Sequence, residues 1–227
     1  MSFLSFRFQN SVIRLVLLTL TMTLGMQAGA CYSGLVVIPT ADVIGNKQFT
    51  IEPQIDGTTS KFQTDTYLLN TEFGLSDQFE IGVDFDLSEE SDQRLLLNAK
   101  YALGPFGKTP WRFAFGITNT GANVDTNPYI VATSELEHFR LHFGVIHIES
   151  NERWFVGADK EVGNALTVMA DYTSGNDNYS SIGLSYEFNS SLCLFTGVMF
   201  PNSEGDTRFT LHLVYTGSLG NSAKKDE

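Results

Sequence analysis

Phe79-Glu80-Ile81-Gly82-Val83-Asp84-Phe85-Asp86 alternates strictly, with apolar odd positions and small or charged even ones. A period of two places successive side chains on opposite faces of a strand, so one face is greasy and the other wet. Segments of this kind, each roughly ten residues long, recur along the chain with turns between them, the pattern of a transmembrane β-barrel. The spacing predicts an all-β fold: a transmembrane antiparallel up-and-down β-barrel of about 12 strands.

The tight connections are Gly74 to Gln78, Gly104 to Pro110, Glu135 to His138, Val162 to Asn164 and Asn189 to Ser191. Gly, Asn, Ser and Pro supply the backbone angles of most of them. The other side carries the more polar stretches Gly57 to Asp65, Leu87 to Gln93, Gly121 to Asn127, Glu149 to Arg153, Ser174 to Asn178 and Pro201 to Thr207. These eleven connections imply twelve strands, and an even count puts both chain ends on the periplasmic side. Outward parity then gathers Phe73, Phe79, Tyr101, Trp111, Phe139, Phe188 and Tyr215 at the tight-turn end, and Phe85, Tyr172, Phe200 and Phe209 at the loop end. Ile81, Leu97, Phe115, Phe143, Val168, Leu184 and Leu211 fall between the two belts. Aromatic girdles around an aliphatic band suit a bilayer-spanning wall. A soluble periplasmic β-sandwich or lipocalin-like binder, with its apolar face inward, is the competing architecture.

Residues 1–30 read as an export signal: Arg7 and Arg14, an apolar run from Leu15 to Met26, and small residues at Ala28-Gly29-Ala30. The expected division is signal 1–30, pre-barrel segment 31–47, barrel 48–217 and polar tail 218–227. Without Arg7 and Arg14, 12 Lys and Arg face 26 Asp and Glu, a net charge near −14. That balance, with no basic stripe, argues against a nucleic-acid partner. The expected surroundings are outer-membrane lipid, with small solutes or ions as partners and a monomeric barrel in the cell outer membrane of a Gram-negative-type envelope.

Inward parity assigns Glu52, Glu72, Glu80, Asp84, Arg94, Lys100, Arg112, Arg140, His142, Asp171, Glu187 and His212 to the lumen. Charges this dense inside a narrow barrel must be hydrated or paired. Two states follow: a narrow, cation-leaning pore, or a structural barrel closed by its own side chains. Gly82, Gly116, Gly144, Gly157, Gly183 and Gly197 also face inward near mid-strand. Either they let the sheet curve, or they leave room for something inside, such as Gly34 to Ala41.

The chain has two cysteines, Cys31 and Cys193. Cys193 falls inward beside a tight turn, on the side where the mature N-terminus begins, so a Cys31–Cys193 disulfide could tether the N-terminal segment beneath or inside the barrel. Lipidation of Cys31 and two free thiols are the alternatives. His147-Ile148-Glu149-Ser150 sets a histidine, a carboxylate and a hydroxyl at a loop-side rim, where a lipid-modifying outer-membrane enzyme would work. His147 has outward parity, however, and polar rim residues need no catalytic explanation. His142 and His212 read as pairing partners, and no metal-ligand spacing or cofactor motif is present.

Gly34-Leu35-Val36-Val37-Ile38-Pro39-Thr40-Ala41-Asp42 and Asn70 to Gly82 resemble segments of uncharacterised bacterial outer-membrane β-barrel proteins. The first stretch is more distantly similar to barrels associated with exopolysaccharide secretion. The resemblance implies an outer-membrane address and carries over no functional residue.

Overall fold

The computed structural model describes residues 34–60, 62–89, 94–104 and 109–220. The export signal, Cys31 and the tail beyond residue 220 lie outside the described residues. Twelve strands follow one another: β1 (Gln48–Thr58), β2 (Gln63–Gly74), β3 (Phe79–Asp86), β4 (Leu95–Leu103), β5 (Trp111–Thr120), β6 (Asn127–Glu135), β7 (Arg140–Ile148), β8 (Asn151–Val162), β9 (Leu166–Thr173), β10 (Tyr179–Asn189), β11 (Leu192–Pro201) and β12 (Arg208–Ser218). Each pairs antiparallel with its sequence neighbours, and β1 closes on β12 with Ile51 opposite Tyr215 and Ile55 opposite Leu211. Closure satisfies every strand edge, which an open sheet in hydrocarbon could not do.

The period-two pattern resolves into an apolar outside. Leu97, Phe115, Ile130, Phe143, Val168, Ile182, Leu184 and Leu211 are all exposed. Rings pair at both ends of this band: Phe49 with Phe73 at 6.5 Å and Phe79 with Tyr101 at 6.4 Å at one end, Trp154 with Tyr172 at 5.0 Å at the other. A soluble barrel would turn this face inward, whereas here the apolar residues cover the outside of the wall. No described helix is long and apolar enough to cross a membrane, which says nothing against crossing with strands.

The connection between β7 and β8 is shorter than the sequence suggests. It is a two-residue turn, Glu149-Ser150, with φ of 47° and 65°. Both residues take the left-handed angles that a tight hairpin demands and that Gly or Asn normally supplies, so composition gave no sign of it.

The inner wall is not uniformly polar. Ala114, Tyr129, Val131, Phe155, Met169 and Phe195 are buried in one apolar cluster with Leu35, Ile38 and Ala41 of the N-terminal segment. This segment, residues 34–46, enters the barrel instead of lying beneath it. Gly34 and Pro39 bridge antiparallel, the Leu35 amide donates to the Ile38 carbonyl at 2.9 Å, and the chain then runs back to Lys47 and β1. The lumen is therefore filled by a hairpin of the protein's own chain.

Candidate functional site

The hairpin lies in a groove that the inward glycines prepare. Gly183 on β10 and Gly197 on β11 are direct register partners, and Val36 rests on both. A Cβ at either position would meet a Val36 methyl at 2.6 Å. Gly157 on β8 does the same for Leu35 and Ile38, whose Cδ1 atoms would stand 2.6 and 2.7 Å from an added Cβ. The remaining three glycines serve the wall itself. Gly116 lies opposite Tyr129, Gly144 opposite Phe155 and Gly82 opposite Asn98, each with its partner's side chain laid across it. Large residues folded over cross-strand glycines let the wall curve inward without a void.

Polar contacts fix the hairpin along its length. At its tip the Val37 amide donates to Asp171 Oδ2 at 3.0 Å, with the Val36 and Ile38 amides also turned toward that carboxylate. The Ala41 amide donates to Thr133 Oγ1 at 2.9 Å and the Ile44 amide to Glu80 Oε2 at 2.7 Å. Backbone N–H groups taken out of water need acceptors, and here the wall's acids and a hydroxyl provide them.

Asp42 gathers the bases. Arg112 Nη1 lies 2.8 Å from its Oδ1 and Arg140 Nη1 lies 2.9 Å from its Oδ2, while Lys100 Nζ donates to its main-chain oxygen at 2.7 Å. Burial alone would raise the Asp42 carboxyl. Arg140, Arg112 and Lys100 outweigh that and hold it below the usual carboxylate value. Each base has a second acid on the wall: Lys100 with Glu80 at 2.8 Å, Arg112 with Glu135 at 3.0 Å, Arg140 with Asp159 at 3.0 Å. Asp159 also accepts from His142 Nε2 at 2.6 Å, and His142 Nδ1 meets Thr133 Oγ1 at 2.9 Å. Because the Thr133 oxygen accepts the Ala41 amide, its own proton is available for His142 Nδ1.

Six of the lumen residues expected from parity thus converge on the hairpin or its immediate supports: Glu80, Lys100, Arg112, Arg140, His142 and Asp171. Glu52 and His212 form a separate buried pair, with Thr210 Oγ1 2.5 Å from His212 Nε2 and 2.5 Å from Asp56 Oδ1. Glu72 lies near Glu80 and Glu52, and its Oε2 is buried with no hydrogen-bond partner among the described residues. Asp84 accepts from Asn98 at 2.5 Å, and Glu187 is half-buried on β10 near Glu161. Arg94 stands apart, exposed before β4 at the loop rim, donating to the Ser88 carbonyl at 2.8 Å. Cys193 is inward, fully buried beside Val214, and disulfide-bonded. Among the described residues no group of His, Cys, Asp or Glu could hold a metal ion.

Tyr129, Phe155 and Phe195 also line the interior without standing among the expected lumen residues, although the same alternation reaches them: Phe155 is two residues from Gly157, and Phe195 lies between Cys193 and Gly197. The rim stretch does not assemble a catalytic group. His147 sits on β7 opposite Glu152, while Glu149 and Ser150 are the turn itself.

No protein-family model matches the chain, and no curated protein matches it. Solved structures do. The KdgM porin, alone and in a second structure in complex with disordered oligogalacturonate, superposes with a TM-score of 0.56 at 12% identity, covering 73% of this chain and 98% of that one. The NanC porin gives a TM-score of 0.49 at 8% identity over 75% of this chain and 99% of its own. By its fold, the chain is a closed twelve-strand antiparallel β-barrel similar to that of the KdgM porin.

Proposed function

We propose that the protein is a small-solute channel of the outer membrane that its own N-terminal hairpin, residues 34–46, keeps closed. The observation that carries this reading is the way the hairpin is fixed. Its amides end on Asp171, Thr133 and Glu80, and its carboxylate on Arg112 and Arg140, so it is docked through exchangeable polar contacts. A barrel meant only as a scaffold can be filled by wall side chains. With the hairpin out, Arg112, Arg140 and Lys100 keep their wall acids, whereas Glu72, Asp84 and Asp171 have no ion pair among the described residues. That excess makes the open pore cation-leaning.

A permanently closed structural barrel is the second reading, favoured by the disulfide at Cys193. The chain's other cysteine is Cys31, so an intrachain bond would tether the far end of the hairpin to β11. The two readings separate in a planar bilayer. Under the channel reading, reduction of the disulfide or removal of the Asp42 carboxylate produces cation-selective steps, while the oxidised wild type stays mostly silent. Silence under every such treatment would leave the structural barrel. Mass spectrometry of the mature N-terminus tests the tether: a diacylglyceryl adduct on Cys31 would rule it out.

A further inference from the structure

The place that Asp42 occupies is built by the barrel, not by the hairpin. Arg112 comes from β5 and Arg140 from β7, and each is already oriented by a wall acid, Glu135 and Asp159. A guanidinium carries five donors in a fixed fork, so it can serve a wall carboxylate and a second one together. The carboxylate oxygens of Asp42 complete both forks at 2.8 and 2.9 Å, and Lys100 stands beside them. The seat also faces the tight-turn mouth: the side chains of Arg112, Arg140 and Asp42 are 39%, 37% and 26% exposed. Water and solutes therefore reach it without the barrel opening. The rest of the hairpin has further contacts of its own, the amides of Val37, Ala41 and Ile44 and the glycine groove under Leu35, Val36 and Ile38. Loss of the Asp42 carboxylate would leave the seat formed and vacant.

We infer that Arg112 and Arg140, with Lys100 beside them, form a carboxylate-binding seat at the periplasmic mouth, which Asp42 occupies while the hairpin is docked and a carboxylate-bearing solute occupies in its place. The second half of this statement rests on the gating reading above; the seat itself does not. A solute carboxylate then competes with Asp42 and favours release of the hairpin. The seat is local to β5 and β7, and the acidic wall of β1–β3 is unaffected by it.

The test is chemical rescue of the full-length Asp42→Ala barrel in detergent, with acetate as the probe and acetamide and chloride at matched ionic strength as controls. Acetate is expected to protect Asp42→Ala against thermal unfolding at a half-effective concentration at least tenfold below that for the wild type. Acetamide and chloride are expected to have no such effect, and adding Arg112→Gln to be sufficient to remove the response. Equal action of acetate and chloride on Asp42→Ala, an equal response from the wild type, or a response that survives Arg112→Gln would overturn the seat. Should Asp42→Ala not fold, Asp42→Ser keeps a small polar side chain and is subject to the same outcomes. Bilayer conductance separates the two ideas. An Asp42→Ala barrel that stays silent even after reduction of the disulfide, yet responds to acetate, would sink the gate and keep the seat; a conducting one indifferent to acetate would do the reverse.

Discussion

Asp42 is the residue on which closure turns, and its electrostatics set a pH window. Its carboxyl titrates lower when docked than when free, so its contribution to docking is fully present above the free value of about 4 and is lost as pH falls through the lower docked value. Conductance traces from pH 7 downward should accordingly stay quiet through pH 5, with openings beginning only below about pH 4; openings that rise steadily between pH 7 and 5 would contradict this. Steric fit makes an independent prediction at Gly197. A leucine there would occupy the space of Val36, whose methyl would already lie 2.6 Å from an added Cβ. Overpacking of this kind costs about 1–3 kcal/mol. Gly197→Leu should displace the hairpin and raise open probability while the barrel still forms. The Glu52–His212 pair predicts a stability effect without a gating effect. Both residues are nearly fully buried and face each other directly, so His212→Ala strands a buried carboxylate. A loss of about 3–5 kcal/mol is expected in denaturant unfolding.

Among the elements, the strands were written plainly in the sequence and the hairpin was not. A strand with one face in lipid and one in a polar interior repeats its chemistry every second residue, and Phe79 to Asp86 shows that with no knowledge of its neighbours. Gly34 to Asp42 has no such period. It is apolar, broken by Pro39, and nothing local says whether it lies inside or outside the wall. Its position is decided by partners far along the chain: Val37 meets Asp171 across 134 residues, and Val36 meets a groove made by Gly183 and Gly197 on two other strands. Six inward glycines were visible, but which ones leave room and which ones carry a neighbour's ring depended on register, because Gly183 faces Gly197 whereas Gly144 faces Phe155. The charged lumen residues were likewise visible as a set without their sorting into hairpin acceptors, hairpin cations and a separate Glu52–His212 pair. The hairpin's proposed tether belongs to this scale as well. Cys193→Ser, or reduction of the wild type, should increase openings without changing the strand content seen by circular dichroism.

For the whole molecule, a closed sheet with an apolar exterior and a filled interior has two consequences that vary independently. The barrel wall depends on its continuous ladder and apolar outer band, so the folded form should keep the altered gel mobility that heating abolishes, with or without a docked hairpin. Permeability depends on the hairpin. The measurement that bears most directly on this is single-channel conductance of the full-length protein against a variant lacking residues 35–44, both shown to be folded by that mobility shift. A silent or rarely opening wild type and steady, cation-selective steps from the variant are expected. Equal conductance from the two, or silence from a folded variant, would contradict closure by the hairpin.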